Sequence, residues 1–309
     1  MPSETLINTW RNTPPGAMPP AGARVAVIVA SLGRSEEIGL LLVHLQRQTL
    51  LPARIVLSVE SARDLPSDIP AGVDIIMGPR SLTAQRNRGL DKVLGDCDIV
   101  MFYDDDFVPS DDSLAQIAAL FAAHPDIAGA TGAVLRDGVK QGGISYRDAR
   151  IALAAAPAPN PADMRDTDAA YGCNMAFRAN AIGATRFDET LPLYAWQEDV
   201  DFTGQMLTKG RVVKTSAFSG VHRGVSKGRT PGLKLGYSQI VNPAYLVAKG
   251  TMRPRKAVIL AMKNMLANHA RLLRPEPFID RAGRARGNWL GLWHLITGRK
   301  DPRHALRLG

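Results

Sequence analysis

The run DIVMFYDDDFVPS, from Asp98 to Ser110, decides how the rest of the chain is read. Ile99 to Tyr103 is a short apolar stretch rich in β-formers, so it reads as a buried strand. Asp104, Asp105 and Asp106 follow at once. Side chains alternate along a strand, so Asp104 and Asp106 share one face and Asp105 points away. Carboxylates crowded at the end of a buried strand repel one another with little screening. A divalent cation with oxygen ligands relieves that repulsion. The same acids also suit the start of a following helix, with Ser110, Asp111 or Asp112 as N-cap, and the stretch alone leaves both readings open.

Upstream, Arg24 to Ala30 (RVAVIVA) is a first strand. Ser31-Leu32-Gly33-Arg34 then turns into a helix from about Ser35 to Gln48, with Leu40, Leu41, His44 and Leu45 on one face. Arg54–Val59 and Val73–Met77 are further strands, the second ended by Gly78-Pro79. Helices are expected over Leu82–Leu94 and, after the aspartates, over Ser113–Ala123. Strands alternating with helices over about 130 residues argue a parallel, doubly wound α/β sheet. Ligands of such sheets sit beyond the carboxyl ends of the strands, where Ser31, Glu60, Gly78 and the aspartates fall.

Downstream, Gly138 to Asp168 reads as a long loop with AAAPAPNPAD near its middle, a mobile flap or disordered. Order resumes at Tyr171–Arg178 (YGCNMAFR), Trp196–Thr208 has helical periodicity after an acidic start, and Lys214–Thr230 reads as a Gly- and base-rich loop containing His222. Residues 256–273 place Val258, Ile259, Met262, Met265, Leu266, His269, Leu272 and Leu273 at helical spacing. Asn288–Thr297 adds two tryptophans in an apolar turn.

The length of 309 residues allows one large domain and an extension, and 45% hydrophobic with 22% charged residues is ordinary globular composition. Residues 1–23 carry five prolines and read as a mobile leader. Cys97 and Cys173 have no metal-ligand spacing and suggest no disulfide framework, which fits a reducing compartment. No secretory signal or membrane-spanning run is expected. From Lys209 to Gly309 there are 21 Lys and Arg against three acids, whereas the preceding residues hold 17 bases and 26 acids. A basic tail of this kind meets something anionic, unless it is simply a solvated face. A basic amphipathic helix followed by a Trp-rich turn is what binding to an anionic membrane surface uses; packing of both helices on the rest of the protein is the alternative. The region shows no aromatic platform, so no nucleic-acid partner is expected.

The order VIVASLGR, TAQRN, DDD, GCNMAFR, WQEDVDF and a His in GVHRG resembles glycosyltransferase family 2 over roughly residues 24–230. The resemblance implies an α/β GT-A fold, Rossmann-like with a mostly parallel doubly wound sheet, over 24–230, and leaves 231–309 as a basic, amphipathic helical extension. It implies a nucleotide-diphospho sugar donor of UDP or GDP type, and Mg²⁺ or Mn²⁺ as cofactor. Ala30, Ser31 and Arg34 sit where the family's Pro-Thr-Tyr-Asn-Arg contacts the nucleotide, and Glu60 takes the place of an acid that meets the base. Arg86 and Asn87, after Ala84, match a helix start that approaches the nucleotide. Asp104, Asp105 and Asp106 match the DxD region, with Asp104 and Asp106 as metal ligands completed by His222. Asn174 and Arg178 match a segment near the acceptor, joined by Trp196 and Glu198, and Asp199 is the implied base.

The chemistry agrees with those residue types. Sugar transfer leaves negative charge on the departing diphosphate, which a divalent metal neutralises. Arg34, Arg86, Lys227 or Arg229 add positive charge near phosphate. The acceptor hydroxyl loses its proton in the same step, which calls for a carboxylate base such as Asp199 at a helix start. The expected protein is an inverting transferase that builds bacterial exopolysaccharide or cell-envelope polysaccharide on a saccharide, lipid-linked acceptor. It would be cytoplasmic and attached peripherally to the inner face of the cell membrane. Two alternatives remain. A sugar-phosphate nucleotidyltransferase would want a longer Gly-rich loop than SLGR. A non-catalytic nucleotide-sugar binding module has no need of Asp199.

Overall fold

The computed structural model describes residues 22–139, 141–225 and 230–309. The expected leader lies almost wholly outside them, as do Lys227 and Arg229.

Strand β1 (Val25–Ala30) is apolar on both faces, which requires cover on both sides. Val25, Val27 and Val29 meet Ile38, Leu41 and Leu45 of α1 (Ser35–Gln46) and Leu114, Ile117 and Phe121 of α3 (Ser113–Ala123). Ala26 and Ile28 share the opposite-face cluster with Leu90 and Val93 of α2 (Leu82–Val93) and, further along the same face, Phe202 and Met206 of α6 (Glu198–Met206). The result is three layers, helix on sheet on helix. β2 (Arg54–Val59), β3 (Val73–Met77) and β4 (Ile99–Asp104) extend β1 with parallel pairing, and β4 is bounded almost as the apolar run predicted.

Beyond β4 the sheet becomes mixed. β8 (Asn174–Arg178), which runs straight into the short helix α5 (Ala179–Ile182), pairs antiparallel with β4 and with β6 (Ile127–Asp137). β9 (Arg211–His222) runs parallel to β6, and β5 (Phe107–Pro109) and β7 (Asn160–Asp166) lie antiparallel to β9. The strand order is β3-β2-β1-β4-β8-β6-β9-β5, with β7 also on β9.

Two expected loops are partly ordered. Residues 138–168 contain α4 (Tyr146–Ala154), capped by Ser145 Oγ accepting the Asp148 N–H at 3.1 Å, and then β7. β7 is an exposed edge strand, where proline is tolerated, so its Ala- and Pro-rich surroundings gave no strand signal. The Gly- and base-rich loop expected over 214–230 is instead strand as far as His222. Gly220 is there because the Phe107 ring of β5 occupies the space a Cβ would need.

The C-terminal region begins with α7 (Gly232–Lys249), which lies in the extension expected to be helical although no separate helix is legible there. Leu246 packs with Leu191, Ala195 and Val200, and Lys249 Nζ reaches Asp188 and Asp201 at 2.7 Å each. This helix is therefore bolted to the sheet domain. α8 (Pro254–Ala270) and α9 (Arg281–Ile296) pack on it. α7 and α9 approach backbone to backbone: a Cβ on Gly287 would strike the Leu233 carbonyl. Beside this contact Asn268 Nδ2 donates to Gln239 Oε1 (2.9 Å) and Asn288 Oδ1 (2.8 Å), and Asn288 Nδ2 donates to the Gly236 carbonyl (2.7 Å). The C-terminal part of the inner face of α8 is thus polar, whereas Ala257 and Leu260 nearer its start pack with the Leu246 cluster. Its apolar face points outward, with Val258, Ile259, Met262 and Leu266 exposed, and Trp289, Trp293 and Ile296 of α9 are exposed too. Among the described residues no helix is long and apolar enough to cross a membrane.

Gly287→Val should force α9 off α7. Overpacking of this kind costs about 1–3 kcal/mol, and thermal unfolding should show a lowered Tm. An unchanged Tm would mean the helices are not in backbone contact.

Candidate active site

The carboxyl ends of β1 and β4 end beside one another, because their register pairs Ala30 with Asp104. Asp105 turns toward β1: Ser31 Oγ donates to its Oδ2 at 2.5 Å and Arg34 Nη1 to its Oδ1 at 2.8 Å. Arg34 also lies 3.5 Å from Asp106 Oδ2. Gln85 Nε2 donates to the carbonyls of Ser31 and Ser58, tying the ends of β1 and β2 to α2. Ala30, Ser31, Arg34, Asp104 and Asp105 line a cleft whose far lip is Leu193 and Tyr194. Glu60, exposed beyond β2, is not among the lining residues.

Asp106, Asp104 and His222 form a second group, with one ligand atom from each lying within 4.8 Å of the others. His222 Nε2 is 3.3 Å from Asp106 Oδ1 and 3.8 Å from Asp104 Oδ2. The cluster exists because β5, β9 and β6 run side by side, with Phe107 opposite His222 and His222 opposite Asp137. Asp106 Oδ2 accepts the Val225 N–H at 2.7 Å, whereas Oδ1 is buried without a hydrogen-bond partner among the described residues. A buried, unpartnered carboxylate oxygen facing a second carboxylate and an imidazole is a donor set that suits a divalent cation. Burial works against ionisation of both Asp106 and His222. The nearby imidazole and the Arg34 charge nevertheless hold Asp106 low, and the surrounding acidic groups hold His222 well above the usual imidazole range. Burial pushes the Asp105 carboxyl up, against the opposing charge of Arg34.

The third group is the acid pair that opens α6. The approach to it is strained: Leu193, Ala195 and Gln197 have φ of 60°, 49° and 74°, all left-handed and none glycine. The strain is held by the Leu82 N–H on the Leu193 carbonyl (3.0 Å) and by Asn242 Nδ2 on the Trp196 carbonyl (2.9 Å). Glu198 Oε1 meets Arg86 Nη1 at 2.5 Å. Arg86 Nη2 donates to Asp104 Oδ1 at 3.1 Å and to the Gly172 carbonyl at 2.8 Å. Asp199 Oδ2 accepts the Gly172 N–H at 3.0 Å. Burial raises the Asp199 carboxyl, opposed by that N–H and by Arg86, and pushes Glu198 up to about 8.

Not every residue singled out in the sequence comes to the cleft. Arg86 is buried and occupied by protein acceptors. Asn87 looks the other way, donating to the Phe187 carbonyl and Glu189 and accepting the Phe187 N–H. Asn174 is fully buried inside the sheet near Gly132. Arg178 sits at the far end of β8, where it donates to the carbonyls of Phe121, His124 and Ile127. Trp196 is half-buried behind the strained turn. Conversely, sequence reasoning missed Asp137 and Tyr171, which contact His222, and Tyr194. Tyr171 at least adjoins the quoted GCN run; Asp137 carries no motif signal.

The model of the family described as Glycosyl transferase family 2 matches residues 27–184, just over half the chain. The chain belongs to that family. Its fold is the GT-A fold. S. aureus TarS residues 1–349 are 15% identical at a TM-score of 0.53, with 91% of this chain and 82% of that one covered. The Pyrobaculum calidifontis mannosyltransferase PcManGT, solved with GDP-Man and Mn²⁺, is 16% identical at a TM-score of 0.51, with 94% and 87% covered. At such identities the likeness is one of fold. In a longer S. aureus TarS structure the chain spans only 44% of the length. No curated protein matches it. Family membership makes glycosyl transfer the role of this chain.

Arg86→Met should strand Glu198 and Asp104 without their counter-charge. Removing one partner of a buried pair costs about 3–5 kcal/mol, so chemical denaturation should show a large loss of stability at neutral pH. A loss under about 1 kcal/mol would show that the guanidinium is not the buried link between the two acids.

Proposed function

We propose that this family 2 chain is an inverting, metal-dependent transferase that moves a sugar from a UDP- or GDP-type donor to a saccharide acceptor. The observation that carries the reading is the convergence of the Asp104–Asp106–His222 group and Asp199 on the ends of the central strands. Asp104, Asp106 and His222 would hold Mg²⁺ or Mn²⁺, which when bound neutralises charge growing on the departing diphosphate. The GDP-Man and Mn²⁺ of the Pyrobaculum mannosyltransferase support such a donor and ion. Arg34 brings a guanidinium to the same cleft, alongside Ala30 and Ser31, which offer nucleotide contacts. Asp199 takes the acceptor proton: the Gly172 N–H fixes one oxygen, and its raised affinity for protons suits a base. The buried Arg86 acts by positioning Asp104 and Glu198 and not by touching phosphate.

The acceptor is lipid-linked and the protein works at an anionic membrane surface, in assembly of a bacterial-type envelope polysaccharide. The outward apolar face of α8 and α9 supports this, flanked as it is by exposed Arg255, Lys263, Arg271, Arg274 and Arg286. Basic side chains near such a surface contribute about 1 kcal/mol each, so four or five supply roughly 4–5 kcal/mol, with Trp289 and Trp293 as interfacial anchors.

Incubation with candidate nucleotide sugars and Mn²⁺ should release UDP or GDP, and Asp199→Asn should slow that release by about 10²–10⁴-fold while donor affinity holds. Because the Asp199 carboxyl is raised, the wild-type rate should fall with decreasing pH at values above the ordinary carboxylate range. Near-normal turnover of the Asn variant, or a product of retained configuration, would remove Asp199 from the role.

Full-length protein should co-sediment with vesicles containing anionic lipid, less so as salt rises. The double variant Leu266→Glu, Trp293→Glu changes exposed positions alone and should abolish the association. Retention of binding in that variant would reject the α8–α9 face.

A further inference from the structure

We propose that Asp137 and Tyr171 are positioning residues for His222. They fix its ring with a proton on Nδ1, so that in the metal-bound form, where the imidazole is neutral, the Nε2 lone pair faces Asp104 and Asp106. The inference rests on the metal reading above and goes beyond it, because it assigns two residues outside the ligand set.

The parallel register of β6 and β9 sets Asp137 opposite His222, and the Gly138 N–H bonds the His222 carbonyl at 2.8 Å. The two backbones are therefore locked where their side chains meet. His222 Nδ1 lies 3.3 Å from Asp137 Oδ1. That oxygen also accepts the Val139 N–H at 3.0 Å, and Tyr171 O–H donates to the other oxygen, Oδ2, at 2.9 Å. Both oxygens of Asp137 are thus anchored, and the carboxylate cannot swing away. The Tyr171 hydroxyl is also 3.3 Å from His222 Nδ1, and its ring stands edge-on to the imidazole at 5.7 Å.

A neutral imidazole carries one N–H. An acceptor pinned at Nδ1 draws the proton there and leaves Nε2 with its lone pair, pointed at Asp106 Oδ1 (3.3 Å) and Asp104 Oδ2 (3.8 Å). Metal-ligating histidines are ordinarily oriented in this way by a carboxylate or carbonyl on their other nitrogen. Asp106 Oδ1 has no hydrogen-bond partner among the described residues, so the lone pairs converge on a common point. Tyr171 also precedes Gly172, whose N–H holds Asp199. The same short segment thereby sets the ligand on one side of the site and the base on the other.

The test is Mn²⁺ affinity, read from the electron paramagnetic resonance signal of free Mn²⁺ at saturating GDP and, separately, UDP. Asp137→Ala should bind Mn²⁺ about 10–100-fold more weakly, the usual effect of losing such a partner. Asp137→Asn keeps an oxygen acceptor for Nδ1–H, and its loss should be clearly smaller. Tyr171→Phe should weaken binding a few-fold. Thermal unfolding without metal checks that each variant folds, and the near-isosteric Asn variant decides the matter if the Ala variant does not. Mn²⁺ affinity within twofold of wild type in both Asp137 variants overturns the proposal. An Asn variant as weak as the Ala variant overturns the tautomer assignment. Wild-type protein that binds no Mn²⁺ with either nucleotide overturns the metal reading itself, and this assignment with it.

Discussion

The buried guanidinium of Arg86 joins parts of the chain that are far apart in sequence. It contacts Asp104 at the end of β4, Gly172 before β8 and Glu198 at the start of α6. A charge with so little exposure to water is tolerable only when acceptors surround it. Those acceptors happen to be an acid of the metal-binding cluster, an acid of the pair that opens α6, and the backbone between them. Phe102 and Phe187 lie against the guanidinium at 5.7 and 5.4 Å from the ring centroids, which closes it off further. Fixing Arg86 therefore fixes the distance between the two chemical halves of the site.

The segment 171–174 completes that arrangement. Tyr171 meets Asp137 and His222, Gly172 gives its N–H to Asp199 and its carbonyl to Arg86, and the Cys173 carbonyl accepts the Asp104 N–H. Consecutive residues thus serve different groups because 171–174 is a tight turn, closed by the Asn174 N–H on the Tyr171 carbonyl at 2.9 Å, and a turn aims successive groups in different directions. The strained Leu193–Gln197 turn is the counterpart on the other lip: it sets Gln197 at the N-terminus of α6, so that Glu198 and Asp199 sit in the first turn, facing Arg86 and the Gly172 N–H.

The C-terminal helices show how a short extension can be held while leaving a face uncovered. Glycine at 287 permits backbone contact, and the Gln239–Asn268–Asn288 network consumes the polar atoms buried there. With Asn264 and Asn268 turned inward, α8 leaves Val258, Ile259, Met262 and Leu266 outside, next to the tryptophans of α9. His269 links the two helices through Trp289, whose Nε1–H donates to His269 Nε2 at 2.9 Å.

The sequence by itself determined the layered parallel half of the sheet, since alternation of apolar strands with amphipathic helices has few other solutions. It also determined the position of Asp104–Asp106 at a strand end, and the motif order that marks the family. What it could not determine was whatever depends on non-local pairing. Glycines at 220 and 236 look like breakers until the ring or helix that fills their missing Cβ is in place. Edge strand β7 and helix α4 bury too little to write a period into the chain. Arg86 and Asn87 are neighbours on one helix, yet one faces the site and the other the Phe187–Glu189 loop, a difference set by what packs on each side of α2. Asp137 is 85 residues from His222 in the chain and becomes its neighbour only through the β6–β9 register. Chemistry-bearing residues were legible where they cluster in sequence; their partners became visible only where strands met.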